Sequence, residues 1–181
     1  MSVTLTETKL YTLDPTAVEK LVARYRAPME YFAMTFVGDS AFAEDVVSEA
    51  IVRLLIKKPS LRDERALKTY LYTATKNAAI DFLRKRKREI NRLEEEKRLA
   101  LADIRYIEES VVKNEEQKSV LSALKVLREE YREALYLQFF EGFSVDEICA
   151  VTGKKKKQVY NVLARAKTAL AAILKKEEKP L

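Results

Sequence analysis

The sequence predicts an all-α protein made of two small helical domains joined by a charged linker. Apolar residues recur at the spacing of amphipathic helices along most of the 181 residues, and no segment shows the alternation of a half-buried strand. Only three glycines and four prolines interrupt the chain, which favours long helices with few breaks. We place the first domain at residues 14–88, the linker at 89–117 and the second domain at 118–176.

The first domain is predicted to contain three helices. The first begins with Asp14 as its N-cap and runs to Gly38, and Pro28 is expected to kink or split it. The second starts at Ser40, and the third runs from about Asp63 into a basic cluster. The core face of the second helix is expected to carry Phe42, Val46, Val47, Ala50, Ile51, Leu54 and Leu55.

The linker differs in composition from the domains on either side of it. Between residues 89 and 117 charges are dense and apolar residues are sparse, so no stripe is wide enough to hold this segment on a core. We expect it to be a partly helical tether.

The second domain then starts with helices predicted at residues 119–127 and 129–141.

The end of the second domain has the pattern of a helix-turn-helix. Gly142 ends the preceding helix, Ser144 and Glu147 have the spacing of a capping box, and Gly153 permits the left-handed backbone of a tight turn. Two amphipathic helices joined at a glycine are also common in all-helical proteins that bind no DNA. The apolar stripe of the last helix consists of Val159, Val162, Leu163, Ala166, Leu170, Ile173 and Leu174.

Four successive lysines lie at the start of that last helix: Lys154, Lys155, Lys156 and Lys157. The positive end of the helix dipole disfavours each cation there by roughly 0.3–1 kcal/mol, and a nearby phosphate would reverse the sign. Lys155 also stands where a Ser, Thr or Asp cap would stabilise the helix locally. Lysine runs usually serve solubility, but this position favours contact with a polyanion.

Composition narrows the classes of function. The 34 basic and 28 acidic residues give a net charge of +6, which suits a polyanionic partner. One cysteine, Cys149, excludes an internal disulfide, and we expect it to be a small buried hydrophobe. Without histidine the chain has no imidazole for a zinc site or a Ser-His nucleophile. No metal or cofactor is predicted.

The sequence gives no sign of secretion or of membrane insertion. Its first thirteen residues are polar and rich in threonine, unlike a signal peptide, and no apolar run approaches membrane-spanning length. We therefore expect a soluble cytoplasmic protein.

Two segments of the first domain carry a family resemblance. One is Ala43-Glu-Asp-Val-Val-Ser-Glu-Ala-Ile51, and the other is Ala66-Leu-Lys-Thr-Tyr-Leu-Tyr-Thr-Ala-Thr-Lys-Asn-Ala-Ala-Ile-Asp-Phe-Leu-Arg-Lys85. Together with the helix-turn-helix, in this order along residues 15–175, they resemble the extracytoplasmic-function class of bacterial sigma-70 family sigma factors. The resemblance implies a subunit that catalyses no reaction itself, binds core RNA polymerase and promoter DNA, and is held inactive by an anti-sigma factor.

By that resemblance, Asp45, Ser48 and Glu49 would face the clamp of core RNA polymerase. Asp45 and Glu49 are one helical turn apart, so both carboxylates leave the helix on one side. From the residues alone, a solvated charged face is the simpler interpretation of this pair. A pair of metal ligands is a further alternative.

Opening promoter DNA requires a protein to hold bases that have left the stack, and aromatic faces, amides and a basic track are suited to that. The resemblance places these groups on the third helix and the loop before it, with residues 61–65 enclosing an extruded −10 base near Asn77. Tyr70 fits a core aromatic equally well. The −10 single strand is expected at Leu61, Arg62, Asp63, Arg65, Tyr70, Tyr72, Lys76, Asn77, Asp81, Arg84, Lys85, Arg86 and Arg88.

The −35 duplex is expected to contact the last helix, because hydrogen-bonding side chains early in such a helix reach base edges. Asn161 and Arg165 are the strongest candidates for base contacts, and the four lysines for phosphate contacts. The full set is Lys154, Lys155, Lys156, Lys157, Gln158, Tyr160, Asn161, Ala164 and Arg165.

Two other functions fit the pattern less well. An ordinary helix-turn-helix repressor or activator would be a symmetric dimer that binds palindromic sites. A metal-dependent nuclease would need Asp45, Glu49 and Asp81 to converge on Mg²⁺.

Overall fold

A computed structural model describes residues 15–96, 124 and 126–177, and within these ranges every regular element is a helix. The chain divides into two compact units at about residue 109. No helix in the described ranges is both long and apolar enough to cross a bilayer. The elements are α1 (Pro15–Val37), α2 (Ser40–Lys57), α3 (Glu64–Glu96), α4 (Glu129–Leu135), a π-helical turn (Tyr136–Phe140), α5 (Val145–Thr152) and α6 (Lys156–Glu177).

The N-terminal unit is a bundle in which α1, α2 and α3 each pack against the other two. Because apolar residues recur at helical spacing, each helix turns one stripe inward. Phe32 of α1 lies at the centre of the bundle, with its ring centroid 5.2 Å from that of Tyr72 on α3. The largest fully buried side chains of this unit are Met29, Phe32, Val46, Leu54, Leu67, Leu71 and Tyr72.

The ends of the N-terminal helices are set by local hydrogen bonds. The backbone N–H of Phe42 donates to Asp39 Oδ1 at 3.1 Å, which caps α2. Asp63 caps α3 in the same way, since its Oδ1 accepts from the N–H of Ala66 at 2.7 Å. The helix α2 ends at Lys58, which adopts the left-handed backbone with φ of 43°.

Two expectations about these helices need adjustment. Pro28 lies inside α1, which runs unbroken, so it does not split the helix. A proline removes one backbone hydrogen bond, and the burial of Met29 and Phe32 next to it outweighs that loss. Helix α3 continues to Glu96, eight residues into the predicted linker. Asp14 and the rest of the linker lie outside the described residues.

The core of the C-terminal unit combines an aliphatic cluster with two buried rings, Tyr136 and Phe143. Leu124, Leu127, Leu135 and Ala166 form a buried cluster against which Tyr131, Ala169, Leu170 and Ile173 pack. Val159 and Leu163 of α6 and Ile148 and Val151 of α5 are buried as well. Of the helix predicted at residues 119–127, Leu124 and Val126 are described and are helical, and the remainder lies outside the described residues.

The helix predicted to reach residue 141 changes type before its end. After Leu135 the backbone widens into a π-helical turn, in which the N–H of Glu141 donates to the carbonyl of Tyr136 at 3.3 Å. The rings of Tyr136 and Phe140 stack, with centroids 5.2 Å apart and planes 8° from parallel. Gly142 then ends the segment with φ of 66°, as the sequence predicts.

Candidate nucleic-acid interface

The helix-turn-helix forms as its sequence predicts. Ser144 Oγ accepts from the N–H of Glu147 at 3.3 Å, and Glu147 Oε2 accepts from the N–H of Ser144 at 2.7 Å, which completes the capping box. Gly153 ends α5 with φ of 72°, a conformation that costs a side-chain-bearing residue about 1–2 kcal/mol. Both ends of α5 are therefore specified by the local sequence.

The start of α6 has a cap that the sequence interpretation missed. The backbone N–H of Lys155 donates to Gln158 Oε1 at 2.8 Å, which is the glutamine half of a capping box. The N–H of Lys154 donates to Thr152 Oγ1 at 3.3 Å. A missing Ser, Thr or Asp at Lys155 is thus no indication of a phosphate, and the oxygen of Gln158 is already engaged in the free chain.

Two of the four lysines have acidic partners within the unit. Lys154 Nζ donates to Glu130 Oε2 at 3.2 Å, and Lys156 Nζ lies 2.9 Å from Asp146 Oδ1. The hydrogen bond and charge of Asp146 raise the pKa of Lys156. Lys155 and Lys157 are exposed, and no described acidic side chain pairs with either of them. The lysine run therefore divides into paired and available cations.

The remaining predicted −35 residues lie on the outer surface of α6. Tyr160 is 55% exposed, and Asn161, Ala164 and Arg165 are exposed beside it, while Val159, Leu163 and Ala166 point into the core. We call this surface the reading face; it consists of Lys157, Tyr160, Asn161, Ala164 and Arg165.

An exposed aromatic close to α6 was missed by the sequence interpretation. Phe139 is 61% exposed, and the ammonium of Lys167 lies 5.3 Å from its ring centroid. Phe139 belongs to the π-helical turn, so its direction departs from the α-helical pattern used for prediction. Cys149, expected to be buried, is only half-buried on α5.

Helix α2 exposes a mixed acidic and apolar stripe. Asp45 and Glu49 are exposed and Ser48 is half-buried, and the same surface continues through three large apolar residues. Ile56 is 74% exposed and Leu55, expected in the core, is 46% exposed. We call this surface the docking face; it consists of Asp45, Ser48, Glu49, Val52, Leu55 and Ile56.

The prediction that Tyr72 contacts DNA is wrong for this structure. Its ring is fully buried between α1 and α3, against Phe32, and the ammonium of Lys68 lies 5.8 Å from its centroid. A base could stack on it only if the bundle opened. Tyr70 is half-buried, so part of its ring remains accessible.

The other predicted −10 residues form an exposed and a half-buried set. Arg86 belongs to the second, because its guanidinium carbon lies 4.5 Å from the ring centroid of Phe42, which itself packs on Phe82. Leu61, Asp63, Tyr70, Lys76 and Arg86 are half-buried. The exposed set, which we call the strand face, consists of Arg62, Arg65, Asn77, Asp81, Arg84, Lys85 and Arg88.

The C-terminal end of the loop at residues 58–63 is held in place by contacts between α1 and Glu64, the first residue of α3. Tyr25 Oη donates to Glu64 Oε1 at 2.7 Å, and Arg24 pairs with the same carboxylate. Burial and then the hydrogen bond to Glu64 raise the pKa of Tyr25 to about 12, so its hydroxyl stays a neutral donor at physiological pH. These contacts fix the first turn of α3 next to the loop.

The strand face contains one acidic residue, Asp81, and it is neutralised by cations from two helices. Its Oδ2 lies 3.3 Å from Arg53 Nη2 on α2, and its Oδ1 lies 3.9 Å from Arg84 Nη1 on α3. Arg53 was not singled out by the sequence interpretation, because its pairing depends on how α2 packs against α3.

A metal site does not form from the predicted carboxylates. Within the described ranges, no three His, Cys, Asp or Glu side chains are grouped as metal ligands. Asp81 and Glu49 are instead both held by Arg53. The nuclease alternative, which needs Asp45, Glu49 and Asp81 around Mg²⁺, therefore has no structural support in this part of the chain.

Two helical units, one with a helix-turn-helix and one with an exposed basic helix, define a DNA-binding protein. Comparison with known families makes the class more specific. The family model of Sigma-70 region 2 matches residues 21–89, and that of Sigma-70, region 4 matches residues 117–170. The two matches together span more than half of the chain, and the chain belongs to the sigma-70 family of RNA polymerase sigma factors, in its extracytoplasmic-function class.

Individual proteins that the chain resembles are also sigma factors. The chain is 28% identical over 146 residues to RNA polymerase sigma factor SigV of Bacillus subtilis, covering 81% of this chain and 84% of that protein. It is 27% identical over 165 residues to the ECF RNA polymerase sigma-E factor of Escherichia coli K12, covering 87% and 86%. The fold is similar to that of the sigma factor RpoE from Bartonella quintana, solved with the anti-sigma factor NepR, with a TM-score of 0.67, 22% identity and coverage of 93% and 98%.

Proposed function

We propose that this sigma factor acts in the cytoplasm as a promoter-specificity subunit with no catalytic activity of its own. The observation that carries the proposal is the reading face. Helix α5, bounded by the Ser144 capping box and by Gly153, packs against α6, which presents Asn161 and Arg165 outward while its other side is buried. Side chains in these positions of a helix-turn-helix reach base edges in the major groove.

The reading face is proposed to select the −35 duplex. Arginine pairs with the O6 and N7 of guanine, asparagine with the N6 and N7 of adenine, and a small apolar side chain contacts the methyl of thymine. Arg165, Asn161 and Ala164 supply these three groups. Lys157 is proposed to bind phosphate, and Lys154 is assigned mainly to its ion pair with Glu130.

The strand face is proposed to hold the −10 single strand. Its exposed arginines and Lys85 on α3 give a basic track for phosphates, and Asn77 gives an amide for a base edge. Residues 61–65, which end the loop and begin α3 and are anchored through Glu64, are proposed to enclose the extruded base.

The docking face is proposed to bind the clamp of core RNA polymerase. Exposed large apolar residues rimmed by charges are typical of protein–protein contacts. Val52, Leu55 and Ile56 supply the apolar part, and Asp45 and Glu49 supply acidic groups for basic residues of the polymerase. Because the same face is open in the free chain, an anti-sigma factor that covered it would block assembly.

The test is transcription by purified bacterial core polymerase from a promoter library, with and without this protein. Transcript starts that depend on the protein and share paired −35 and −10 motifs are expected. Asn161→Ala and Arg165→Ala should each relax the preference at one −35 position, by about 1–3 kcal/mol per base pair. Lys157→Ala is the matched control, since it should weaken all promoters alike. Tight duplex binding without dependent starts would instead indicate a repressor or an activator.

A further inference from the structure

Arg53 joins the docking face to the strand face through a single nitrogen. Its Nη2 lies 2.6 Å from Glu49 Oε1, one turn back along α2, and 3.3 Å from Asp81 Oδ2 on α3. Glu49 belongs to the docking face and Asp81 to the strand face. The side chain of Arg53 is 34% exposed, whereas those of Glu49 and Asp81 are about half exposed and accessible to partners.

The contacts continue into the strand face with alternating charge. Asp81 holds Arg53 on one oxygen and Arg84 on the other, at 3.3 and 3.9 Å. Arg84 is 71% exposed and within the basic track. Because groups of like charge compete for a shared partner of opposite charge, a change in the pairing of Glu49 alters how strongly Asp81 retains Arg84.

We propose that Arg53 is a positioning residue that couples occupancy of the docking face to the DNA affinity of the strand face. The proposal rests on the proposed function and deepens it. A cationic side chain of the polymerase that binds Glu49 displaces Arg53 from that carboxylate. Arg53 then pairs more fully with Asp81, and Arg84 is released to bind a DNA phosphate. By linkage, DNA on the strand face strengthens polymerase docking by the same factor.

The expected size of the coupling follows from the exposure of the pairs. Exposed ion pairs each contribute little, so transferring Arg53 from one carboxylate to the other changes the strand affinity by about two- to fourfold. The effect decreases as salt rises, since exposed charges are screened.

The experiment measures binding of the full chain to a fluorescently labelled single-stranded oligonucleotide by anisotropy at low salt. Glu49→Gln removes the carboxylate that competes for Arg53 and so imitates a docked polymerase. Glu44→Gln is the matched control, because it removes one negative charge from an exposed position of the same helix that has no ion pair among the described residues. Glu49→Gln is expected to bind two- to fourfold more tightly than Glu44→Gln.

Two further backgrounds test whether the effect passes through Arg53. In Arg53→Gln, and separately in Asp81→Asn, the difference between the Glu49 and Glu44 variants is expected to disappear. If Arg53→Gln lowers the thermal stability of the N-terminal unit, the Asp81→Asn background provides the test instead. Equal affinities of the two glutamate variants, or a difference that persists in both backgrounds, would overturn the inference while leaving the proposed function intact. Absence of strand binding by holoenzyme formed with the wild-type chain would instead overturn the −10 part of the proposed function.

Discussion

The two units expose their aromatic residues to different extents. In the N-terminal unit Phe32 and Tyr72 are fully buried at the centre of three long helices, and the most exposed described ring, Tyr31, reaches 36%. In the C-terminal unit Tyr136 and Phe143 are buried, but Phe139 and Tyr160 are more than half exposed. The difference shows that aromatic content alone does not locate a DNA-stacking site, because burial decides which rings are available.

Both units hold some of their cations in contacts within the unit. On α3, Arg84 shares Asp81 with Arg53, and Arg86 packs over Phe42. At the start of α6, two of the four lysines are paired with Glu130 and Asp146. In both units some cations stabilise the fold and others are available to phosphates. A run of basic residues in the sequence does not show which residues belong to which group.

The largest expected effect tests the contrast in aromatic burial. Phe32→Ala should destabilise the N-terminal unit by about 3–5 kcal/mol, because it leaves a cavity beside Tyr72. Phe139→Ala, at an exposed ring of the C-terminal unit, should change stability by less than about 0.5 kcal/mol. Urea unfolding followed by circular dichroism measures both. Similar losses for the two variants would contradict the contrast.

A second prediction compares exposed apolar residues of the two units. Ile56→Asp on the docking face should weaken core polymerase binding by about 1–3 kcal/mol, as expected for a central apolar contact. Val126→Asp is matched to it, since Ile56 and Val126 are both 74% exposed. Affinity for core polymerase, measured by fluorescence titration, should be unchanged in the Val126 variant. A loss of equal size in both would exclude a specific role for the docking face.

A third prediction concerns the caps of the helix-turn-helix. Ser144→Ala should destabilise the C-terminal unit by about 1 kcal/mol, because the N–H of Glu147 loses its partner. Ser144→Thr keeps the hydroxyl and should restore most of the stability. Thermal unfolding of the full chain measures the effect, and the transition of the N-terminal unit should not move.

The smallest expected effect separates paired from available lysines. Lys157→Ala should lower the salt dependence of promoter-duplex binding by about 0.9 in the slope of log K against log salt, the value for one phosphate contact. Lys154→Ala should change the slope less, because Lys154 is held by Glu130. Titrations with promoter duplex and holoenzyme at several salt concentrations measure both slopes. A larger change for Lys154 would show that its ion pair opens on DNA.

The sequence was sufficient for several local features. The Ser144 capping box, the Gly153 turn and the inward position of Val159, Leu163 and Ala166 on α6 depend on residues three or four apart, and the structure has all of them. The cap from Gln158 to the N–H of Lys155 is equally local and was missed. The other features that were missed depend on packing between helices. The burial of Tyr72, the ion pair of Arg53 with Asp81 and the pairing of Lys154 with Glu130 each join residues far apart in the chain.

The exposed end of α2 was missed for a related reason. Helical periodicity placed Leu55 with the core residues, but the three-helix bundle covers only part of that stripe and leaves Leu55 exposed beside Ile56, which was not predicted to lie in the core. The apolar stripe of α2 is wider than the surface that the other two helices cover, and this excess width could have identified its exposed residues. The π-helical turn had no such signal, since its residues fit an α-helical pattern equally well.

The π-helical turn at Tyr136–Phe140 has a consequence for comparing this chain with its homologues. A π turn holds one more residue than an α turn over the same stretch of backbone. A homologue whose helix is α throughout would therefore align with a single-residue gap at this place and keep the same helix-turn-helix beyond it. Deleting one residue here is thus a more conservative change than substituting Tyr136, whose side chain is buried.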